Sequence, residues 1–193
     1  MERNIQPVNN AQGWNGKHKI FEDLISEIKP KIIVEVGSWQ GQSTITMAQA
    51  CNKIGLDTVI YSIDTWLGAL EFYTTPTAER DLLLKDGYPQ VYYKFIENLK
   101  EHGVRDKVKT ITLPSNLGLK FLESQGIQAD LIYIDGSHEY DDVKKDIELA
   151  NRLNPKVLFG DDYTNSVFPG VKQAVQEQGQ HEVVDSWYWI IRR

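Results

Sequence analysis

Five short apolar segments alternate with helical patterns along this chain, and that rhythm limits its fold more than any other feature. The apolar segments are residues 31–36, 58–64, 106–113, 129–135 and 155–161. Apolar residues recur at helical spacing over residues 17–28, 43–54, 90–102, 116–124, 139–152 and 169–178. Nearly continuous apolar strands that alternate with helices are typical of a parallel sheet covered on both faces.

The C-terminal segment HEVVDSWYWIIRR breaks this rhythm, because it holds two β-prone runs with no helix between them. Such a pair predicts a hairpin. We therefore expect an α/β fold, with a doubly wound, mostly parallel seven-stranded sheet and an antiparallel C-terminal strand. The length suits a single domain over residues 1–193, with 1–16 as an N-terminal arm and 65–90 as a lid-like insertion.

Charge and cysteine content narrow the choice of partner and compartment. The net charge is −6, from 27 acidic and 21 basic residues, which is a poor match for a nucleic acid. Cys51 is the only cysteine, so no internal disulfide forms, and a reducing compartment such as the cytoplasm is favoured. No apolar run approaches the ~20 residues of a membrane span, and the first ten residues lack the apolar core of a signal peptide.

The segment IVEVGSWQGQS places two glycines four residues apart directly after the first apolar strand. Gly37 and Gly41 permit a tight turn into a helix and a close backbone approach to a ligand. A pyrophosphate at this helix N-terminus would meet the bulk of Trp39 and the charge of Glu35. An amino-acid tail fits better, because Glu35 suits its ammonium group while Ser43 and the helix N-terminus suit its carboxylate.

Asp64 ends the second predicted strand. An acid at this position accepts hydrogen bonds from ribose hydroxyls in dinucleotide sites. The alternative is that Asp64 caps a helix that begins near Thr65. Beside the glycine turn the ribose role is favoured, and an amino-acid tail plus a ribose describes S-adenosylmethionine.

Three carboxylates follow the fourth and fifth predicted strands: Asp135, Asp161 and Asp162. Neighbouring parallel strands lie about 4.8 Å apart, so these acids crowd one spot if the two strands are adjacent. Their mutual repulsion is relieved by a divalent cation, and all-oxygen ligation suits Mg²⁺. The alternative is that Asp161 or Asp162 is a loop residue bonded to local amides.

His138 lies three residues after Asp135, at the start of a predicted helix. It is a candidate general base, because the pKa of a histidine lies near the working pH of most enzymes. A contact with the nucleoside, or a half-exposed surface position, stays open. Further along the same helix, Asp141, Asp142 and Asp146 look like its solvated face.

The ordered set EVGSWQGQS, Asp64, YIDGSH and LFGDDY resembles the class I S-adenosylmethionine-dependent methyltransferases with their Rossmann-like fold. Within that class it is most similar to the metal-dependent small-molecule O-methyltransferases of the catechol and macrocin types, over about residues 13–193. The resemblance implies a cofactor-binding set of Glu35, Gly37, Ser38, Trp39, Gly41, Ser43, Asp64, Ser115 and Asp135. It also implies that a bulky aromatic at position 39 is usual, and that Asp135, Asp161 and Asp162 ligate the metal.

The resemblance extends to the reaction. His138 stands where catechol enzymes carry a lysine base and resembles the sugar-modifying branch, which favours a sugar or aliphatic hydroxyl in a small-molecule acceptor. Asp135 and His138 are then the catalytic pair. The residues expected to close over the acceptor are Trp14, Trp66, Phe72 and Tyr73. The alternative for the insertion at residues 65–90 is a short surface helix with one hydrophobic face.

Other functions stay open on the sequence. A relative of the cephalosporin hydroxylase type, or a non-catalytic protein that binds S-adenosylmethionine, would share the sheet and the acidic cluster. A nicotinamide-dependent oxidoreductase is less favoured for two reasons. The Trp39 side chain would obstruct the diphosphate of its cofactor, and a plain dinucleotide-binding domain does not require the terminal hairpin. The aromatic run WYWII packs either internally or against a second copy of the chain, so a homo-oligomer is possible.

Overall fold

The computed structural model describes residues 16–74 and 81–193. Its helices are α1 (Ile20–Ile28), α2 (Gln42–Lys53), α3 (Leu70–Tyr73), α4 (Val91–Glu101), α5 (Ser115–Ser124), α6 (Tyr140–Asn151) and α7 (Pro169–Gln176), with a 3-10 turn at Arg105–Lys107. Its strands are β1 (Ile32–Val36), β2 (Val59–Asp64), β3 (Val108–Thr112), β4 (Leu131–Ile134), β5 (Val157–Gly160), β6 (Glu182–Val184) and β7 (Tyr188–Arg192). Every helix and strand predicted from the periodicity is present, with ends that differ by a few residues.

In the described part of the chain, seven strands form one sheet in the order β3-β2-β1-β4-β5-β7-β6. Strands β1 to β5 pair in parallel, and β7 runs antiparallel to both β5 and β6. This confirms the predicted fold class. The order reverses between β1 and β4, and ligands of open α/β sheets bind in the crevice at such a switch point.

Alternating strand residues supply two separate cores, one on each face of the sheet. On one face, Ile33, Tyr133 and Phe159 pack against α1, α2 and α4. On the other face, Val34 and Ile132 pack against α5, α6 and α7. The period-2 pattern of apolar residues on both faces explains why the strands read as continuous apolar runs.

The terminal run WYWII is an internal strand. Residues Tyr188, Trp189, Ile190 and Ile191 are all buried, and β7 lies between β5 and β6. Of the two arrangements open on the sequence, the structure has the internal one, while the preceding Trp187 is 41 % exposed. Over residues 16–74 and 81–193, no helix is long and apolar enough to cross a bilayer.

Candidate active site

The carboxyl ends of β1, β2, β4 and β5 lie along one edge of the sheet, and the predicted site residues follow them. The turn after β1 packs directly against the end of β4. Gly37 has a φ of 82°, and a Cβ there would lie 1.9 Å from the carbonyl oxygen of Asp135. Only glycine permits this close approach, which brings the glycine turn beside the first acid of the predicted metal cluster.

Glu35 supports the glycine turn from behind. Its side chain is 0 % exposed. Its carboxylate accepts hydrogen bonds from the hydroxyls of Ser43 at 2.6 Å, Ser38 at 2.7 Å and Ser62 at 3.1 Å, and from Thr44. Burial raises the pKa of Glu35, and the hydroxyl donors act in the opposite direction.

This placement differs from the expectation for Glu35 and Ser43, which was direct contact with an amino-acid tail. Strand alternation turns the Glu35 side chain under the start of α2, where Ser43 donates to it. The carboxylate is occupied by protein hydroxyls. In this structure the two residues therefore hold the turn and the start of α2 together.

Asp64 also holds the glycine turn, through hydrogen bonds to backbone amides. Its Oδ2 accepts hydrogen bonds from the backbone amides of Ser38 and Trp39, each at 2.8 Å. Its Oδ1 accepts one from the amide of Trp66 at 2.7 Å. The helix cap weighed on the sequence is not what the structure has, because no helix begins near Thr65 and α3 begins at Leu70. A carboxylate has about four lone-pair sites, so Oδ1 keeps capacity for one further donor such as a ribose hydroxyl.

The aromatic residues expected to form a lid divide into different roles. Phe72 stacks on Trp39 with ring centroids 4.5 Å apart and an interplanar angle of 13°. Tyr73 is half exposed and donates its hydroxyl to the carbonyl of Leu67 at 2.7 Å. Trp14 lies outside the described residues.

Trp66 is not a lid residue in this structure. It is 2 % exposed and packs against Tyr92 and Phe95 of α4. Its indole Nε1 donates to the carbonyl of Trp39 at 2.9 Å. The reason is local: the chain turns at Trp66 with a φ of 53°, which directs the ring into the core.

Asp135, His138 and Asp162 form the centre of the candidate site. One ligand atom from each lies within 4.8 Å of the others. His138 Nε2 is 3.1 Å from Asp162 Oδ2 and 3.8 Å from Asp135 Oδ1. Asp162 adopts a left-handed φ of 59°, which an aspartate tolerates better than most residues. Strands β4 and β5 are adjacent, as the crowding argument requires.

Asp161 does not join this group, although it was predicted as a third metal ligand. Its side chain is 5 % exposed, and its Oδ1 accepts a hydrogen bond from the amide of Asp162 at 2.7 Å. That bond to a local amide is the alternative weighed on the sequence. His138 takes the third place in the cluster.

The electrostatics of the cluster favour a positive charge at its centre. Burial opposes the charged imidazole, but Asp135 and Asp162 outweigh it and raise the pKa of His138 to about 10. Burial raises the pKa of Asp135, against the effect of the imidazolium. Burial also acts to raise the pKa of Asp162, but the nearby His138 imidazole and the hydrogen bond from Asn165 bring it below the ordinary value.

Several residues that the sequence analysis missed hold the cluster in place. The Tyr133 hydroxyl donates to Asp135 Oδ2 at 2.9 Å, and Asn165 Nδ2 donates to Asp162 Oδ1 at 2.7 Å. Phe168 stacks on the His138 ring. Strand alternation could have predicted the position of Tyr133, because a residue two positions before Asp135 lies on the same face of the strand. The contacts of Asn165 and Phe168 depend on the loop after β5, which no periodicity describes.

Ser115 begins α5, and its hydroxyl acts to lower the pKa of the Asp146 carboxyl in α6. Asp146 is 1 % exposed, so the expectation that it lies on the solvated face of its helix is wrong. The helix turns this position toward α5 and the loop after β4, where Asp146 Oδ2 lies 3.9 Å from the Cβ position of Gly136. A buried acid therefore lies near Ser115 at the start of α5.

Comparison with known proteins places the chain in a family. A family described as "Methyltransferase domain" matches residues 34–163, which is more than half of the chain. The chain belongs to this methyltransferase domain family. The matched residues include the glycine turn, Asp64 and the whole Asp135–His138–Asp162 cluster.

One curated protein is similar in sequence. The "Uncharacterized protein y4gI" of Sinorhizobium fredii (strain NBRC 101917 / NGR234) is 32 % identical over 143 residues, which cover 72 % of this chain. The chain spans only 14 % of the length of that protein.

Solved structures share the fold at low identity. Cofactor-bound Rv0187 from MTB has a TM-score of 0.64 and 19 % identity, over 95 % of this chain and 81 % of that one. The O-methyltransferase TomG from Streptomyces achromogenes, involved in tomaymycin synthesis and solved in complex with SAM, has a TM-score of 0.64 and 15 % identity over 95 % and 82 %. The antiparallel β7 also separates this sheet from the all-parallel order of a dinucleotide-binding domain.

Proposed function

We propose that this protein transfers a methyl group from S-adenosylmethionine to a hydroxyl of a small molecule. The observation that carries the proposal is the packing of the glycine turn against the end of β4. It puts a turn suited to an amino-acid tail in direct contact with the residue that begins the acidic cluster, Asp135. A donor in the turn and a hydroxyl at the cluster would then be neighbours.

The turn and its surroundings support this cofactor. Helix α2 begins after Gly41, and a helix N-terminus favours the carboxylate of a methionine tail. Asp64 has one acceptor site left for a ribose hydroxyl. The stacked rings of Trp39 and Phe72 cover the turn with an apolar surface, against which a thioether or sulfonium carbon packs well. Structures that share the fold have been solved with SAM, which agrees with this assignment.

The proposed reaction is an in-line displacement. The acceptor oxygen attacks the methyl carbon, and the C–O bond forms as the C–S bond breaks. The electron pair of the broken C–S bond stays on sulfur, which leaves S-adenosylhomocysteine. The hydroxyl proton passes to His138 Nε2, which lies at the centre of the cluster. Alignment of oxygen, carbon and sulfur is the main task of the protein, and such positioning supplies roughly 7–11 kcal/mol in favourable intramolecular systems.

The cluster fits a divalent cation such as Mg²⁺. Oxygen atoms of the Asp135 and Asp162 carboxylates lie within 4.8 Å of each other, and carboxylate ligation suits a hard metal, which leaves the His138 imidazole beside the ion as the base. Asp135 and Asp162 would hold the ion, with Asp161 beside them. A bound divalent cation lowers the pKa of a hydroxyl and orients it. It would also replace the proton that the two carboxylates hold on His138, which frees the imidazole to act as a base.

The acceptor is proposed to carry an aliphatic or sugar hydroxyl. The support is His138 itself: an imidazole between two acids is a base for a hydroxyl that needs activation, and it stands where catechol-type enzymes have a lysine. A phenol, which ionises more readily, has less need of this arrangement.

Calorimetry and methyl-transfer assays test the proposal. Titration with S-adenosylhomocysteine should give saturable binding, and titration with NAD should give none. Methyl transfer to a panel of sugar, aliphatic and phenolic hydroxyls should appear with Mg²⁺ and fall in excess EDTA. Absence of heat with S-adenosylhomocysteine would remove the cofactor assignment, and full turnover in EDTA would remove the metal alone.

A further inference from the structure

A tyrosine hydroxyl is buried in the middle of the sheet, directly under the acidic cluster. Tyr133 in β4 is 0 % exposed. Its ring lies against Phe21 at a centroid distance of 5.1 Å and against Phe159 at 4.8 Å. Its hydroxyl donates to Asp135 Oδ2 at 2.9 Å.

Packing does not explain this hydroxyl. The neighbouring residues of β4 are Leu131, Ile132 and Ile134, and the contacts of the Tyr133 ring are with other aromatic rings. A phenylalanine would fill the same space. A buried hydroxyl has to be hydrogen-bonded, and the partner here is a residue of the candidate site rather than a structural carbonyl.

The bond also fixes the direction of the Asp135 carboxylate. Tyr133 and Asp135 are two residues apart, so both side chains leave the chain on the same face. With Oδ2 held by the phenol, Oδ1 is the oxygen that faces His138, at 3.8 Å from Nε2.

We infer that Tyr133 is a positioning residue for Asp135, and that its hydroxyl presents Oδ1 to the divalent cation bound between Asp135 and Asp162. This inference rests on the proposed function and goes beyond it, because it assigns a role to a residue outside the cluster. Groups that hydrogen-bond to metal ligands typically change metal affinity about 10- to 100-fold when they are removed.

The test is Tyr133→Phe, which keeps the ring and removes only the hydroxyl. Affinity for Mn²⁺, used as a spectroscopic substitute for Mg²⁺, is measured by electron paramagnetic resonance on the full chain, and affinity for S-adenosylhomocysteine by calorimetry. We expect Mn²⁺ to bind at least about 10-fold more weakly, with the affinity for S-adenosylhomocysteine unchanged. Tyr92→Phe is the matched control, because its hydroxyl lies 3.5 Å from Thr110 Oγ1 and away from the cluster.

Each outcome decides the inference. Equal Mn²⁺ affinity in wild type and Tyr133→Phe would overturn it and leave the metal assignment intact. Parallel losses of Mn²⁺ affinity, S-adenosylhomocysteine affinity and melting temperature would also overturn it, because the hydroxyl would then support the whole fold. If the wild type binds S-adenosylhomocysteine but no Mn²⁺, the inference and the metal fall together, while methyl transfer stands.

Discussion

The Phe168 ring lies nearly parallel to the His138 imidazole, with ring centroids 4.0 Å apart and an interplanar angle of 18°. This stack joins the loop after β5 to the loop after β4. Gly170 allows the approach, because a Cβ there would lie 3.0 Å from the carbonyl oxygen of His138 and 2.6 Å from the amide of Tyr140. The orientation of the candidate base is therefore set by residues 30 positions along the chain.

Replacing Phe168 by leucine should slow catalysis without weakening the cofactor. Loss of the stack leaves the imidazole free to rotate away from the acceptor, and small misplacements of catalytic groups cost about 10- to 100-fold in rate. We expect kcat to fall at least about tenfold and the affinity for S-adenosylhomocysteine to stay within about twofold. The check is steady-state kinetics beside calorimetry.

Phe121→Leu is the control for Phe168→Leu, since Phe121 is 46 % exposed on α5 and remote from His138. It should leave both kcat and cofactor affinity unchanged. An unaltered kcat in Phe168→Leu would show that the stack does not orient the base.

The sequence predicted the fold well because strand and helix periodicity is a local property. The apolar runs also predicted which strand ends carry acids, whereas the adjacency of β4 and β5 was only a condition on the sequence and is given by the structure. The glycine turn, Asp64, Asp135 and His138 all lie at the predicted edge of the sheet. What periodicity predicts is which element carries a residue, and hence roughly where its backbone lies.

Side-chain direction was less predictable. Trp66 turns into the core because its backbone is left-handed, and Asp161 and Asp162 separate because only Asp162 has a positive φ. Asp146 is buried because α6 packs against α5 at that position, although its neighbours Asp141 and Asp142 are exposed. These outcomes depend on single backbone angles and on contacts between distant helices, which a one-dimensional pattern does not contain.

Replacing Asp64 by asparagine should disrupt the glycine turn as well as any ribose contact. Both carboxylate oxygens accept backbone amides, and an asparagine offers one oxygen and one NH₂ group, which would face an amide donor. We expect the unfolding free energy to drop by about 1–3 kcal/mol and the affinity for S-adenosylhomocysteine to weaken at least about tenfold. Urea denaturation and calorimetry measure the two effects.

Asp57→Asn serves as the control for this change, because Asp57 precedes β2 at the opposite edge of the sheet. It should alter neither quantity appreciably. Wild-type stability in Asp64→Asn would mean that the three amide bonds are not needed to hold the turn.

Replacing Glu35 by glutamine tests whether this acid supports the turn from behind. Four hydroxyls donate to its carboxylate, and glutamine substitutes a donor for one of the acceptor oxygens. We expect a loss of about 1–3 kcal/mol in unfolding free energy, together with weaker binding of S-adenosylhomocysteine. Glu101→Gln, at an exposed position of α4, should do neither. A variant with weakened binding but full stability would instead favour direct contact between Glu35 and the ligand.

Replacing Asp146 by asparagine should change how stability depends on pH. Burial, and to a lesser extent the charge of Asp142, raise the pKa of Asp146 from 3.8 to about 6, against the effect of the Ser115 hydroxyl. Because the folded pKa is the higher one, the unfolded chain loses this proton first as the pH rises. The stabilising contribution is therefore present below pH 3.8 and is lost as the pH rises through about 6.

The asparagine has no proton to lose, so the unfolding free energy of the variant should rise relative to that of the wild type as the pH rises. Relative to the difference at about pH 4, we expect Asp146→Asn to gain roughly 2 kcal/mol in unfolding free energy by about pH 8. Urea denaturation at a series of pH values gives this difference, with the exposed Asp141→Asn as the control, because Asp141 is not among the groups that shift the pKa of Asp146. A constant difference between wild type and Asp146→Asn across that range would show that Asp146 is ionised in the folded protein at little cost, and that its buried carboxyl is solvated or paired in solution.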